Sequence, residues 1–191
     1  MASVHPSVSG LFYLADVPVV DPIRFLDEKG GWAGVTDSEN SRKFQHFGFT
    51  YDYASRKIRG LAEEIPNFLL ELRDFLTETC RSLGIVDDTY VFNQIIVNDY
   101  QPGQGISKHT DISAYGSVIG CFTFGSGAEM TFRRGDQKED LFVAKNSLYI
   151  MSGESRTEWT HEMASRKSDR VNGEKILRGR RVSVTFRMVS Q

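Results

Sequence analysis

The chain has 191 residues, a formal net charge of −2 and 40% hydrophobic residues, including thirteen Phe, seven Tyr and two Trp. That is apolar material for one domain with a packed core, and it excludes disordered, collagenous and uniformly cationic classes. The two cysteines, Cys80 and Cys121, exclude a disulfide framework and a cysteine-rich zinc module, and they suit a reducing cytoplasmic or nuclear setting.

The first twenty residues have no basic segment, and Asp16 interrupts their apolar run, so a soluble intracellular chain without signal peptide or membrane span is expected. Asp21 and Pro22 form a helix-start signal, and "PIRFLDEKGG" reads as a short helix closed by glycine. From Phe47 the pattern alternates, which places Phe47, Phe49, Tyr51 and Tyr53 on one face of one strand. In "IPNFLLELRDFLTETCRSLG", Ile65, Phe68, Leu69, Leu72, Phe75, Leu76, Cys80 and Leu83 form a single helical stripe, with Gly84 at the C-cap. Beyond Asp87 helical periodicity gives way to short segments rich in Val, Ile, Phe, Tyr and Thr. Many short strands behind one packing helix predict a mainly β fold with flanking helices and a double-stranded β-helix, or jelly-roll, core. The organisation expected is one domain over 1–191: an N-terminal segment over 1–60, the packing helix over 61–84 and the jelly roll over 88–191. "ASRKSDRVNGEK" reads as a long polar loop between the last two strands. Arg166 to Arg181 holds seven Lys/Arg against Asp169 and Glu174, a local +5 that leaves −7 for the rest. Such a run is either a footprint for phosphate or a solvated basic loop.

The chemistry concentrates in "GQGISKHTDISAYG". His109 and Asp111 stand two apart, so on an extended segment both side chains point the same way. His161 lies at the end of another strand-like run. Two histidines and one carboxylate, with open positions opposite, make the facial triad that suits Fe(II); a structural zinc site would require four closed ligands. In "RVSVTFR", Arg181, Ser183, Thr185 and Arg187 share one face, and Val182, Val184 and Phe186 the other. Two inward guanidiniums invite a dicarboxylate, because the planar fork binds carboxylate bidentately; an edge strand with both arginines in water is the alternative. Asn98 and Tyr100 share a face upstream and carry an amide and a phenol able to complete such a site.

Together, "NDYQPGQGISKHTD", "MSGESRTEWTH" and "RVSVTFR" resemble the AlkB family of Fe(II)/2-oxoglutarate dioxygenases. "PGQGI", "GSGAEMTF" and "SGESRTEWTH" look closest to the AlkB-like domain of the tRNA wobble-uridine hydroxylase. The resemblance implies Fe(II) held by His109, Asp111 and His161, with 2-oxoglutarate and O2 as co-substrates. It implies that Arg181 binds the distal carboxylate, helped by Asn98 and Tyr100, with Arg187 near the chelating end. Ser183 stands where several relatives carry Asn, and its shorter reach weakens that contact. Glu162 stands where relatives usually carry Gly, so a different turn is expected there. "RKFQHFGFTYDY" resembles the family's substrate lid.

The reaction so implied couples decarboxylation of 2-oxoglutarate to hydroxylation of a substrate C–H bond. The expected substrate is a base in DNA or RNA, either demethylated or hydroxylated at a tRNA wobble uridine, and a base in a duplex must leave its stack to react. Trp32, Phe47, Phe49, Tyr51 and Tyr53 are candidates to hold it. Lys108, Arg133, Arg134 and Arg156 are candidates for phosphate. Ser113 occupies the position where some repair members read the base with an acid. A monomer is expected. The tRNA enzymes also carry RNA-recognition and methyltransferase domains that 191 residues do not hold, so a tRNA role would need help in trans or a different recognition scheme. Two other classes remain at this point: the same chemistry on a protein side chain or small molecule, and a jelly-roll binding module without turnover.

Overall fold

A computed structural model describes residues 2–190. Along them run β1 (Ser3–Val4), β2 (Leu11–Leu14), α1 (Ile23–Lys29), β3 (Ala33–Gly34), β4 (Lys43–Phe47), β5 (Phe49–Asp52), β6 (Lys57–Leu61), α2 (Asn67–Ser82), β7 (Gln94–Tyr100), β8 (Ile106–His109), β9 (Val118–Gly125) and β10 (Ala128–Arg134). There follow β11 (Gln137–Val143), β12 (Ser147–Ser152), α3 (Gly153–Thr157), β13 (Thr160–Met163), β14 (Ser168–Val171), β15 (Glu174–Leu177) and β16 (Arg181–Arg187). An eight-stranded sheet, ordered β1-β2-β12-β9-β16-β7-β4-β3, joins a four-stranded sheet, ordered β11-β10-β13-β8, in the expected mainly β jelly roll.

The two periodicities of the chain decide how the layers meet. The helical stripe of α2 buries Leu69, Leu72, Leu76 and Cys80 against Phe122, Phe124, Val182, Val184 and Phe186 on the larger sheet. A second core, including Ile119, Met130, Phe132, Tyr149 and Met163, fills the space between the sheets. Burying one such Leu or Phe side chain contributes on the order of 2 kcal/mol. β16 is buried along its whole length. Its apolar face belongs to the α2 core, so Arg181, Ser183, Thr185 and Arg187 point toward the smaller sheet. In register beside that polar row lie Tyr100, Asn98 and Ile96 of β7 and Thr123 and Cys121 of β9.

Two expectations are corrected. The strand through Phe47 and Tyr53 is broken at Gly48, whose φ is +76°. A Cβ there would stand 1.9 Å from the Asn93 carbonyl oxygen, so only glycine lets the chain turn so close to β7. Phe47 stays in the α2 core, whereas Phe49 to Asp52 form a separate hairpin with β6. The polar loop near the C-terminus is also a hairpin, β14 with β15. Asn172 (φ 51°) and Gly173 (φ 85°) form its two-residue turn, the Asn-Gly signal for a type I′ turn.

Candidate metal centre and its approach

β8 and β13 run antiparallel with His109 opposite His161, and the two imidazole centroids lie 4.3 Å apart. The chain leaves β8 after His109, and Asp111 turns its carboxylate back toward the pair, with Oδ2 3.5 Å from His161 Nε2. One ligand atom from each of the three residues lies within 4.8 Å of the others.

The surroundings prepare each donor. The Ser107 carbonyl can only accept, so His109 Nδ1 donates to it at 2.8 Å and leaves Nε2 with a free lone pair. Burial, reinforced by the charges of His109 and Arg187, pushes His161 down to about 3, which keeps its imidazole neutral. Burial alone would raise the Asp111 carboxyl, but Arg187, both histidines and Arg156 together hold it well below the usual carboxylate range. Arg187 Nε and Nη2 each lie 2.8 Å from Asp111 Oδ1, while Oδ2 is buried without a partner.

Behind the three ligands is a small chamber lined by Asn98, Tyr100, Tyr149, Arg181, Ser183 and Thr185. Arg181 donates from Nη2 to the Thr123 hydroxyl at 2.9 Å, and its guanidinium lies 5.5 Å over the Tyr100 ring. Arg181 Nε and Arg187 Nη1 are buried and unpartnered. An orphan carboxylate oxygen beside two imidazole nitrogens fits a divalent cation, and orphan guanidinium N–H groups in the adjoining chamber fit a carboxylate. The residues present therefore suit Fe(II) and 2-oxoglutarate.

Comparison with known proteins agrees: residues 34–187 match the 2OG-Fe(II) oxygenase superfamily. The chain belongs to that superfamily. It is similar to the tRNA (carboxymethyluridine(34)-5-O)-methyltransferase ALKBH8 of Macaca fascicularis, 30% identical over 95% of this chain and 31% of that protein. The uncharacterized protein L905 of Acanthamoeba polyphaga mimivirus is 41% identical over 65% of this chain and 60% of its own length. A solved structure of OsALKBH1 shares the fold, with a TM-score of 0.68 at 17% identity over 98% of this chain and 99% of that one. The chain thus spans less than two thirds of the macaque and viral proteins. The likeness to AlkB homologues matches the family read from the motifs.

A cleft of about 310 Å³ opens onto the oxygenase's His109 and Asp111. Tyr51, Tyr53 and Tyr115 line it. Tyr51 meets Tyr53 edge-on at 5.1 Å, and Tyr115 lies 6.3 Å from Tyr51 between centroids. Arg42, Arg56 and Lys108 complete the wall. None of these three forms an ion pair among the described residues. Arg42 connects the cleft to the chamber: it lies 5.5 Å over the Tyr53 ring and donates from Nε to Asn98 Oδ1 at 3.2 Å.

Not every residue singled out in the sequence reaches this place. Trp32 packs against the α2 core, and Ser113 is exposed on a separate groove beyond the 111–116 loop. Arg156 is buried and engaged by backbone carbonyls, which leaves it no reach toward a phosphate. Arg133 pairs with Glu162 at 3.0 Å, and Arg134 with Glu154 at 2.5 Å. No turn follows His161, because β13 continues through Glu162. The basic run is partly neutralised by the fold. Arg166 pairs with Glu129 and Asp169, Arg178 with Asp169, and Arg180 with Asp27 and Asp99. Arg181 faces the chamber, whereas Lys167, Arg170 and Lys175 are exposed and form no ion pair among the described residues, so the run shows solvent less charge than its local +5.

The sequence reading passed over Arg42, Arg56, Tyr115, Tyr149 and Thr123. Thr123 left a trace: it is the polar alternate position, two from Cys121, in an otherwise apolar strand. Arg42, Arg56 and Tyr115 reach the site from turns and loops and left none, and Tyr149 is hidden in β12, where Leu148 to Met151 is apolar on both faces.

Proposed function

We propose that this oxygenase oxidises a base in nucleic acid, with His109, Asp111 and His161 holding Fe(II) and Arg181 and Arg187 receiving 2-oxoglutarate. The observation that carries the reading is the cleft itself. Three tyrosine rings offer faces and edges to a planar base, and three cations without carboxylate partners stand at its wall. The printed names of relatives support it: one is a tRNA-uridine methyltransferase, and an Arabidopsis thaliana relative, 28% identical, is named an alkylated DNA repair protein homolog.

When bound, iron and 2-oxoglutarate supply the oxidation, in which O2 is consumed, succinate and CO2 are released, and a substrate C–H bond becomes C–OH. The chain does the rest. His109 and His161 present their imidazole nitrogens. Arg187 engages one oxygen of Asp111 and leaves the other for the metal. Arg181, backed by Thr123 and Tyr100, holds the diacid. Tyr51, Tyr53 and Tyr115 orient the base and exclude water. If the hydroxylated carbon is an N-methyl group, the product collapses to formaldehyde and the unmodified base; a carbon substituent keeps its hydroxyl.

The test is succinate release with iron and 2-oxoglutarate against methylated DNA, methylated RNA and bulk tRNA. At least one should stimulate release and yield an oxidised base, and His161→Ala should abolish it. Stimulation by a protein or small-molecule pool instead, with all three nucleic acids inert, would move the substrate to that class.

A further inference from the structure

Arg156 is a buried cation that the chemistry above does not use. It projects from α3, a single turn fixed by a reciprocal cap in which the Ser152 N–H donates to the Ser155 hydroxyl at 3.0 Å. The Ser155 N–H donates in turn to the Ser9 carbonyl at 3.0 Å, so the base of the side chain is anchored to the N-terminal segment.

From there the guanidinium reaches into the loop between β8 and β9. Nη1 donates to the Asp111 carbonyl at 3.1 Å, and Nη2 to those of Ile112 at 2.7 Å and Tyr115 at 3.1 Å. Nε donates to the Gly116 carbonyl at 3.2 Å. One residue thus holds four carbonyls of a six-residue loop whose first member is the carboxylate facing both histidines. The same loop presents Ile112 and Tyr115 to the outer cleft. No carboxylate forms an ion pair with Arg156 among the described residues; the four carbonyl dipoles meet its N–H groups directly, and the Asp111 charge acts on it from farther off.

We propose that Arg156 is a positioning residue that sets the 111–116 loop, and through it both the aim of the Asp111 carboxylate at the metal and the wall of the substrate cleft. The division of labour with Arg187 follows from geometry. Arg187 grips the carboxylate of Asp111; Arg156 grips its backbone. With both in place one carboxylate oxygen is engaged and the other is free. Without Arg156, the carbonyls of Asp111, Tyr115 and Gly116 lose this donor, that of Ile112 is left with the Tyr115 N–H alone, and the loop relaxes toward water. Lysine is a poor replacement, since a compact ammonium cannot span four carbonyls arranged around a planar fork.

This inference rests on the metal reading above, and the experiment separates the two. Co(II) is titrated calorimetrically into the metal-free wild type, R156A and R156K, with circular dichroism and thermal unfolding recorded in parallel. The wild type should bind one Co(II). Both variants should bind about 10- to 100-fold more weakly, the range typical for loss of a group that orients a metal ligand. Millimolar methylguanidinium should restore part of the affinity to folded R156A. Wild-type binding that both variants retain overturns this inference alone. No Co(II) binding by the wild type overturns the metal reading and this inference with it. Should R156A fail to fold, R156K decides: affinity unchanged from wild type overturns the proposal, and a tenfold loss supports it. A second readout separates positioning from phosphate contact. If Arg156 touched nucleic acid, its removal would flatten the salt dependence of binding by about 0.7 to 0.9 in log–log slope; a positioning role leaves that slope unchanged, and a flattened slope with unchanged Co(II) affinity overturns the proposal.

Discussion

Two basic regions of this chain have opposite fates. Between Arg166 and Arg181, seven cations crowd sixteen positions, yet Arg166, Arg178 and Arg180 are tied to carboxylates from β10, β14, α1 and β7, Arg181 turns inward, and only Lys167, Arg170 and Lys175 stay exposed without an ion pair among the described residues. Around the cleft, Arg42, Arg56 and Lys108 are scattered through the sequence, and the fold gathers them without acidic partners. Charge density along a sequence is therefore a poor guide to charge presented at a surface. What matters is where the fold places each cation and whether it delivers a carboxylate: four of the seven in the dense run are paired or turned inward, and the other three, Lys167, Arg170 and Lys175, lie outside the cleft.

This contrast can be broken at several points, the largest first. Arg178→Ala removes a two-pronged partner from buried Asp169, which keeps Arg166 and the Glu129 N–H. Losing charge-assisted hydrogen bonds of this kind costs roughly 1.5–3 kcal/mol, so thermal unfolding should shift down by about 5 °C or more. The cleft cations should behave otherwise, with Arg56→Ala and Lys108→Ala each within about 0.5 kcal/mol of wild-type stability. Arg181→Ala should raise the 2-oxoglutarate requirement about 10- to 100-fold, the loss expected for charge-assisted hydrogen bonds, read as succinate release against co-substrate concentration. Removing Arg42, Arg56 and Lys108 together should lower the salt slope of nucleic-acid binding by about 2 to 3, whereas K167A/R170A/K175A, which removes exposed cations outside the cleft, should leave it nearly unchanged. If the second triple variant flattens the slope and the first does not, the assignment of the two regions is reversed.

The smallest effect concerns His46. Burial first, then Arg187, lowers its pKa to about 4 from an ordinary 6.5. The unfolded chain binds this proton more readily than the folded one. The stability contribution is therefore complete above pH 6.5 and is lost as pH falls toward 4. Unfolding midpoints between those values should drop with acid, less steeply in His46→Gln.

Side-chain alternation carried much of the site into view. β16 alternates strictly, so its polar and apolar faces could be read from seven residues, and α2 declared its core stripe in the same way. His109 and Asp111 stood out by spacing. What could not be read were contacts made across loops. Arg156 looked like a surface cation because nothing in "GESRT" announces that four carbonyls from another segment will close over it. Tyr115 and Arg42 reach the cleft from turns whose course depends on the assembled sheets. The break at Gly48 was hidden because alternation continues through it; its cause lies in the Asn93 carbonyl, 45 positions away. The Asn172-Gly173 turn, by contrast, was written locally in the chain.

That break has an architectural consequence. Between β4, locked into the main sheet, and β5–β6, which lends Tyr51, Tyr53 and Arg56 to the cleft wall, the backbone passes through Gly48, held by hydrogen bonds to Glu63 and Ala62 at 2.7 and 3.0 Å. The hairpin is thus mounted on the barrel like an interchangeable tool head. Exchanging residues 49–61 for those of a relative would retarget the machine while its engine keeps running, and the glycine is the coupling at which such a graft should be cut.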